Sequence, residues 1–232
     1  MTRMTILLIL VLIGTQSLAQ KHTPFRGMLE YKITPRDTSL KDLIPENKMI
    51  IYTNDTIVRI ENFTGSLGKQ VAIRHLILNK SYLLLNTDFG NFAIQMNLSD
   101  SDSRSSNDTT QTPEYQFKKK WGKDKILRKR AKRVIVSHAS FNEPIEFLYY
   151  KKYRKNLIDA FPEINGLPVR YSLPTSDAIL DYELVRINSY EPDRDLFGIS
   201  SDYERISFDD FMDRMIESKQ TAPPPSDHDS QN

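Results

Sequence analysis

The chain of 232 residues contains no cysteine. That excludes disulfides, thiolate metal ligands and cysteine nucleophiles, and leaves stability to a hydrophobic core, which a chain of this length is able to build. Histidine is scarce, with His22, His75, His138 and His228 the only four. No two of them stand at His-x-x-x-His spacing, so no zinc site is expected. There is no glycine-rich phosphate loop and no nucleophile elbow. The stretch "SDSDSR" from Ser99 matches a calcium loop for three positions only and lacks both the turn glycine and the distal glutamate. His138 has Ser137 and Ser140 as sequence neighbours, which does not make a triad. Asp193 and Asp195 form an acidic pair of the kind a hydrolase uses, and their ordinary reading is solvated loop. No cofactor, no metal and no enzymatic activity are expected, and an unrecognised hydrolase is the least supported class.

Long apolar runs are also missing, except at the N-terminus. There Arg3 precedes an apolar run from Ile6 to Ile13, and Ser17-Leu18-Ala19 supplies the small residues a signal peptidase needs. This is the pattern of a secretory signal peptide over residues 1–19, too short for a permanent span, which takes about 20 residues. No cysteine follows it, so a lipid anchor is excluded. Nothing after it is long and apolar enough to cross a membrane as a helix. The expected mature chain starts at Gln20 and is exported, to the periplasm, the outer membrane or beyond.

Net charge is only +2, but the charge is segregated. Lys118 to Arg133, "KKKWGKDKILRKRAKR", holds ten basic residues and one acidic, Asp124. Thr175 to the end holds fourteen acidic and five basic residues. In an exported protein such a basic block is not expected to meet nucleic acid. It suits anionic lipid, lipopolysaccharide or an acidic partner. Its ordinary reading is a solvated edge, or pairing with the chain's own acidic part. Read as one strand from Lys125, the block puts Lys125, Lys129 and Arg133 on one face and Arg128, Arg130 and Lys132 on the other.

The rest of the chain alternates like strands. "FRGMLEYKIT" has period two through Phe25, Gly27, Leu29, Tyr31 and Ile33. "KMIIYTNDTIVRIEN" reads as two strands folded over Asn54-Asp55. At least three more strands follow, broken at Gly65-Ser66, Asn79-Lys80 and Asp88-Phe89-Gly90. Residues 98–113 are nearly all Ser, Asp, Asn and Thr, a composition that does not order itself, and are expected to form a mobile loop. "DKILRKRAKRVIVSH", "EPIEFLYYKK", Val169 to Leu173 and Ala178 to Ser189 read as further strands, and Arg154 to Pro162 as a short helical turn. In "SFDDFMDRMIE" the apolar residues Phe208, Phe211, Met212, Met215 and Ile216 share one helical face, with Ser207 as N-cap. Residues 220–232 are a polar tail, expected to be disordered. The expected fold is mainly β: residues 20–219 form a single domain, a curved antiparallel sheet, half-barrel-like, with one or two helices.

"INGLPVRYSLP" (Ile164 to Pro174) punctuates this pattern. With it, the ordered strands resemble the GLPGLI family of exported Bacteroidota proteins, which is similar to the DUF4412 family. The resemblance covers most of the mature chain. Phe25, Gly27, Leu29 and Tyr31 match the family's opening strand. "MIIY", "IVRIEN" and "SYLLLN" follow, "KILRKRAKRV" matches loosely, and "FLYYKKY" precedes Gly166, Leu167 and Pro168. Arg128 and Ala131 stand where the family has a glycine and often a cysteine, and Val169-Arg170-Tyr171 replaces the Gly-Leu-Ile half of the motif.

The resemblance implies a fold akin to the lipoprotein-carrier half-barrel, whose concave face holds an acyl chain. Two readings of function stand side by side on the sequence: a non-enzymatic envelope component that binds or assembles with envelope or outer-membrane proteins, and a carrier of a lipid or other apolar ligand in the concave face, between which core-facing strand residues do not decide. Gly166-Leu167-Pro168 has a mechanical reading beside this. Glycine permits a turn, proline fixes φ on entry to a strand, and Leu167 plugs the core. Asp55-Thr56-Ile57 and Asp108-Thr109-Thr110 match the Bacteroidota O-glycosylation pattern, marking Thr56 and Thr109. N-terminal sequencing of the protein from the envelope fraction should begin at Gln20; full-length protein recovered from the cytoplasm would defeat the export reading.

Overall fold

The computed structural model describes residues 24–37, 47–64, 68–96 and 115–221, the last without 121, 123, 140, 142, 154–156, 159–160, 162 and 176–177. The signal peptide, the 98–113 loop, Thr109 and the tail beyond 221 lie outside the described residues, as does most of the expected turn at 154–162.

Fourteen strands are described: β1 (Gly27–Pro35), β2 (Asn47–Thr53), β3 (Ile57–Thr64), β4 (Gly68–His75), β5 (Lys80–Thr87), β6 (Gly90–Met96), β7 (Gln116–Lys120), β8 (Lys125–Ile126), β9 (Lys129–Arg130), β10 (Lys132–Ser137), β11 (Ile145–Tyr150), β12 (Leu167–Pro174), β13 (Ile179–Ser189) and β14 (Glu204–Ile206). A 3₁₀ turn at Arg194–Phe197 and the helix α1 (Phe208–Thr221) complete the elements. Twelve strands form one sheet in the order β14-β6-β5-β4-β3-β2-β1-β13-β12-β11-β10-β7, with β8-β9 a separate hairpin. Neighbouring strands are antiparallel, as the short connections require. The exception is β14, which pairs with β6 in parallel. The sheet's two edges, β14 and β7, do not pair with each other, so it is not a closed barrel. Mainly β with an open antiparallel sheet is the expected class.

Register sorts the side chains. Ile187, Leu29, Ile51, Ile60, Ala72, Leu83 and Ile94 stand directly opposite one another across seven strands from β13 to β6. Ile206 of β14 extends this apolar row to an eighth. Successive side chains of a strand point to opposite faces, so the row defines one inner face. At the β14–β6 end α1 covers that face, with the Phe211 ring 5.6 Å from Phe92 and 6.1 Å from Phe89. Only part of the helix stripe is covered: Phe211 is buried, Met212 and Met215 are half-buried, and Phe208 and Ile216 are exposed. The helix spans only the last strands, so both ends of the stripe overhang them. α1 continues through Thr221, so the boundary expected at 219 falls inside it. On the outer face of β3 to β6, Val71, Ile73, Leu84 and Ala93 pack under Ile199 and Tyr203.

Over the other half the core is aromatic. Tyr171 stacks on Tyr182 at 4.8 Å and meets Phe147 at 5.5 Å, and Phe147 meets Phe161 at 5.6 Å. Leu157, Phe161 and Ile164, from the connection between β11 and β12, are buried in this cluster. Leu29, Tyr31, Ile51, Val58, Phe147, Leu167 and Val169 are completely excluded from solvent.

Gly166, Leu167 and Pro168 lock that half together. Gly166 has φ of +151°, and a Cβ there would lie 2.3 Å from Tyr149 Cδ2 and 2.8 Å from the Tyr150 carbonyl oxygen. Only glycine fits such a conformation at such an approach. Leu167 is fully buried, and the Pro168 carbonyl accepts a 2.8 Å hydrogen bond from the buried Tyr31 hydroxyl, donated from β1.

This core is sensitive at two points. Gly166→Ala should lower stability by more than about 2 kcal/mol, combining a strained φ with a clash against backbone; a denaturation midpoint equal to wild type would show that the contact relaxes freely. The buried phenols give the second. Burial raises the pKa of Tyr31, Tyr171 and Tyr150 above the ordinary value near 10, Tyr150 to about 12. Above about pH 10 the unfolded chain therefore loses phenolic protons that the folded chain keeps, so stability, fully present below pH 10, falls as pH rises. Absorbance titration should show a subset of the eleven tyrosines ionising only as the fold is lost; all of them titrating together near pH 10 in a folded protein would refute it.

Candidate functional site

The basic block does not form the single strand read from its sequence. β7 ends at Lys120, the chain turns back through the β8-β9 hairpin, and β10 starts at Lys132. The hairpin pairs Lys125 with Arg130 and Ile126 with Lys129 over the two-residue turn Leu127-Arg128. Both turn residues have positive φ, 46° and 63°. Such turns normally take Asn-Gly or Asp-Gly, and their absence here hid the hairpin. The alternation of Lys125, Lys129 and Arg133 against Arg128, Arg130 and Lys132 is therefore replaced by a hairpin on which Lys125, Arg128, Lys129 and Arg130 are exposed.

The hairpin is anchored from below. Ile126 and Ala131 are buried in the main core, and the Tyr150 hydroxyl donates to the Ile126 carbonyl. The Ala131 amide donates to the Asp124 carbonyl at 2.8 Å. Arg133 turns back onto both Asp124 oxygens at 2.5 and 3.0 Å and reaches Glu146 at 3.1 Å. The hydrogen bond to Asp124 raises the Arg133 pKa further. Arg133 is thus a staple and leaves the set of partner contacts expected from sequence.

Lys125, Arg128, Lys129, Arg130 and Lys132 are all exposed. Among the described residues no carboxylate forms an ion pair with any of the five. Among the described residues, no carboxylate of the acidic C-terminal part pairs with them. Its carboxylates serve other cations, with Glu204 on Arg214 at 2.6 Å, Glu191 on Arg26 at 3.0 Å and Asp181 on Arg36 at 3.1 Å.

Elsewhere polar groups serve the fold. Asp193 caps the 3₁₀ turn by accepting from the Asp195 amide at 3.1 Å. Glu61 is buried and holds Arg59 at 2.7 Å and Lys69 at 3.0 Å, while Arg59 donates to the Leu196 carbonyl at 3.1 Å. This staple between β3, β4 and the 3₁₀ turn was invisible in sequence, where Arg59 and Glu61 are simply the polar positions of an alternating strand. His75 Nδ1 accepts from the Leu78 amide at 3.1 Å, and the His138 ring lies 4.4 Å from that of Tyr115. The described residues contain no cluster of three or more metal-ligating side chains. Thr56 lies in the β2–β3 turn, half-buried, with its hydroxyl on Asn54 Oδ1 at 3.0 Å. Gly166, Leu167 and Pro168 belong to the core lock described above. No described helix is long and apolar enough to cross a membrane.

No family model matches the chain, and no curated protein matches it. Among solved structures, PNGF-II in a C2 crystal form aligns with a TM-score of 0.49 at 14% identity, over 82% of this chain and 32% of that one. This chain thus spans about a third of the length of PNGF-II. A β-barrel-like protein of the domain of unknown function DUF1849 from Brucella abortus aligns with a TM-score of 0.31 at 10% identity, over 72% of this chain and all of that one. Likeness at this level carries nothing about what the chain does.

Proposed function

We propose that the protein is a non-enzymatic, exported component of the cell envelope that binds an anionic envelope component through its basic hairpin. The observation that carries this reading is the set of five exposed cations at Lys125, Arg128, Lys129, Arg130 and Lys132, beside which the two nearby acids are already committed to Arg133. A cluster of like charge with no ion-paired carboxylate among the described residues costs self-repulsion and attracts an anionic partner. Export and the envelope setting are supported by the N-terminal pattern and by the resemblance to the GLPGLI family. A carrier of an apolar ligand is the weaker reading. Leu29, Ile51, Val58, Phe147 and Val169 already exclude solvent completely, so an acyl chain entering there has to displace packed side chains.

Lys129→Glu, Arg130→Glu and Lys132→Glu combined reverse three exposed charges and leave Ile126, Ala131 and Arg133 in place. Wild type should co-sediment with outer-membrane vesicles at low salt. Binding should fall steeply as ionic strength approaches physiological values, where screening acts over about 8 Å. The triple variant should fail to bind at any salt. Equal binding by both proteins, or none by either, would reduce the hairpin to a solvated edge that guards β7 against aggregation.

A further inference from the structure

The connection between β4 and β5 reads Leu76-Ile77-Leu78-Asn79, an apolar turn where polar residues are usual. Leu76 packs inward on the main core. Ile77 and Leu78 point out, 70% and 59% exposed, more than any other large apolar side chain among the described residues. The turn is built. The Leu78 amide donates to His75 Nδ1, the Leu76 amide donates to the Thr56 carbonyl at 2.7 Å, and Asn79 takes φ of 51°. Two adjacent aliphatics held in water by an ordered turn contribute little buried area to the core.

The basic hairpin repeats the arrangement. Leu127 stands at its tip, 39% exposed, in a conformation that side chains of this shape rarely adopt. Strain kept at an exposed tip points to use of that tip.

Strand register places both tips at one end of the sheet. Gly27 faces Thr53, Thr53 faces Val58, Ile57 faces His75 and His75 faces Lys80, so the β4–β5 turn lies at the end where β1 begins. Gly27 also faces Ser189 at the end of β13, and through β12 Leu167 faces Tyr150 while Tyr149 faces Lys132. The β8-β9 hairpin therefore leaves the sheet at that same end. Leu76 and Ile126, which precede the two tips, pack on one and the same core cluster. Exposed Lys80, Lys120 and Lys152 join the five hairpin cations there. The opposite end differs. Arg36 is engaged by Glu143 and Asp181, and Phe89 leans on the rings of Phe92 and Phe211.

We infer that this end of the sheet docks on an anionic phospholipid bilayer, with Ile77, Leu78 and Leu127 entering the boundary between headgroups and acyl chains and the surrounding cations at the phosphates. The inference rests on the binding role proposed above and names its partner. A membrane fits better than a protein partner. The exposed apolar groups are aliphatic tips on separate loops, whereas protein hot spots favour Trp, Tyr and Arg in a packed centre and use Leu little. A fluid interface takes up separated tips without a matching pocket, through apolar insertion together with attraction to anionic lipid.

The absence of cysteine permits a direct test in the exported full chain. Leu78→Cys, Leu127→Cys and, at the opposite end, Asp88→Cys each carry one environment-sensitive fluorophore. On vesicles of phosphatidylcholine with phosphatidylglycerol, the probes at 78 and 127 should shift to the blue and brighten, while the probe at 88 stays unchanged. Ile77→Ser with Leu78→Ser should weaken partitioning roughly tenfold or more without lowering the melting temperature. Arg128→Glu, Lys129→Glu and Arg130→Glu together should abolish it. Probes that remain aqueous on vesicles that nonetheless bind the protein would overturn insertion and leave the anionic-partner reading standing. Charge-dependent binding to lipopolysaccharide or to a soluble polyanion, with none to phospholipid vesicles, would overturn the membrane and leave the same reading standing. No binding to any anionic surface would remove both.

Discussion

Among the described residues a twelve-stranded sheet is accompanied by one α-helix, and it has more apolar face than that helix covers. The rest of the structure follows from that shortage. α1 shields only the β5–β6 end. Over the remaining strands the sheet fills its own face, first with the apolar row from Ile187 to Ile94, then with rings from β11, β12 and β13. Tyrosine suits this task because it supplies aromatic area together with a hydroxyl that finds a partner inside. The Tyr31 hydroxyl donates a hydrogen bond to the Pro168 carbonyl and the Tyr150 hydroxyl to the Ile126 carbonyl, so two of the bonds that tie distant strands together come from the groups that fill the core.

That way of filling the core determines where anything else happens. A face already packed by its own side chains admits a ligand only by displacing them, and on the opposite face Glu61 and Ser172 are buried with polar partners. Glu61 answers Arg59 and Lys69, and Ser172 answers Asp181 at 2.5 Å. The exposed cations of the hairpin and the exposed Ile77 and Leu78 sit on or beside turns at the strand ends. The β8-β9 hairpin shows the connection: its inner residues Ile126 and Ala131 plug the core, and that anchoring holds Arg128, Lys129 and Arg130 out in solvent. Core packing and charge display are two sides of one six-residue element.

Where a local signal existed, the fold was legible. Alternation in β1 put Leu29, Tyr31 and Ile33 inside, and the Asn54-Asp55 turn joins β2 to β3 with Asn54 Oδ1 accepting from the Thr56 and Ile57 amides. Gly166 announced a special backbone position and has one. What failed to show was non-local or unsigned. Nothing in the residues of β1 names β13 as its neighbour, and β14 is three residues paired in parallel with a strand more than a hundred positions earlier. The Leu127-Arg128 turn carries no glycine, asparagine or aspartate, so a strand was read through it. Of the candidate contacts, five of six stayed exposed; Arg133 did not, because its acids lie at Asp124, nine residues back, and at Glu146 across the β10-β11 ladder.

The segregation of charge along the sequence becomes segregation in space for a simple reason. The acidic C-terminal part folds next to arginines scattered through the chain: Glu191 with Arg26, Asp181 with Arg36, Glu204 with Arg214. Arginine forms such pairs well because its planar fork meets two carboxylate oxygens at once, as Arg214 does with Glu204 at 2.6 Å on both sides. The exposed rim of the hairpin has lysines mixed with its arginines and only Asp124 within its own stretch, and Arg133 claims that one. Exposed pairs of this kind add little stability each, so their main effect is to use up counter-charge. With those carboxylates engaged elsewhere, Lys125, Arg128, Lys129, Arg130 and Lys132 stay exposed as a local cluster of positive charge in a protein of nearly neutral total charge. Among the described residues the five hairpin cations are left without an ion-paired carboxylate, which is the feature on which the proposed anionic partner rests.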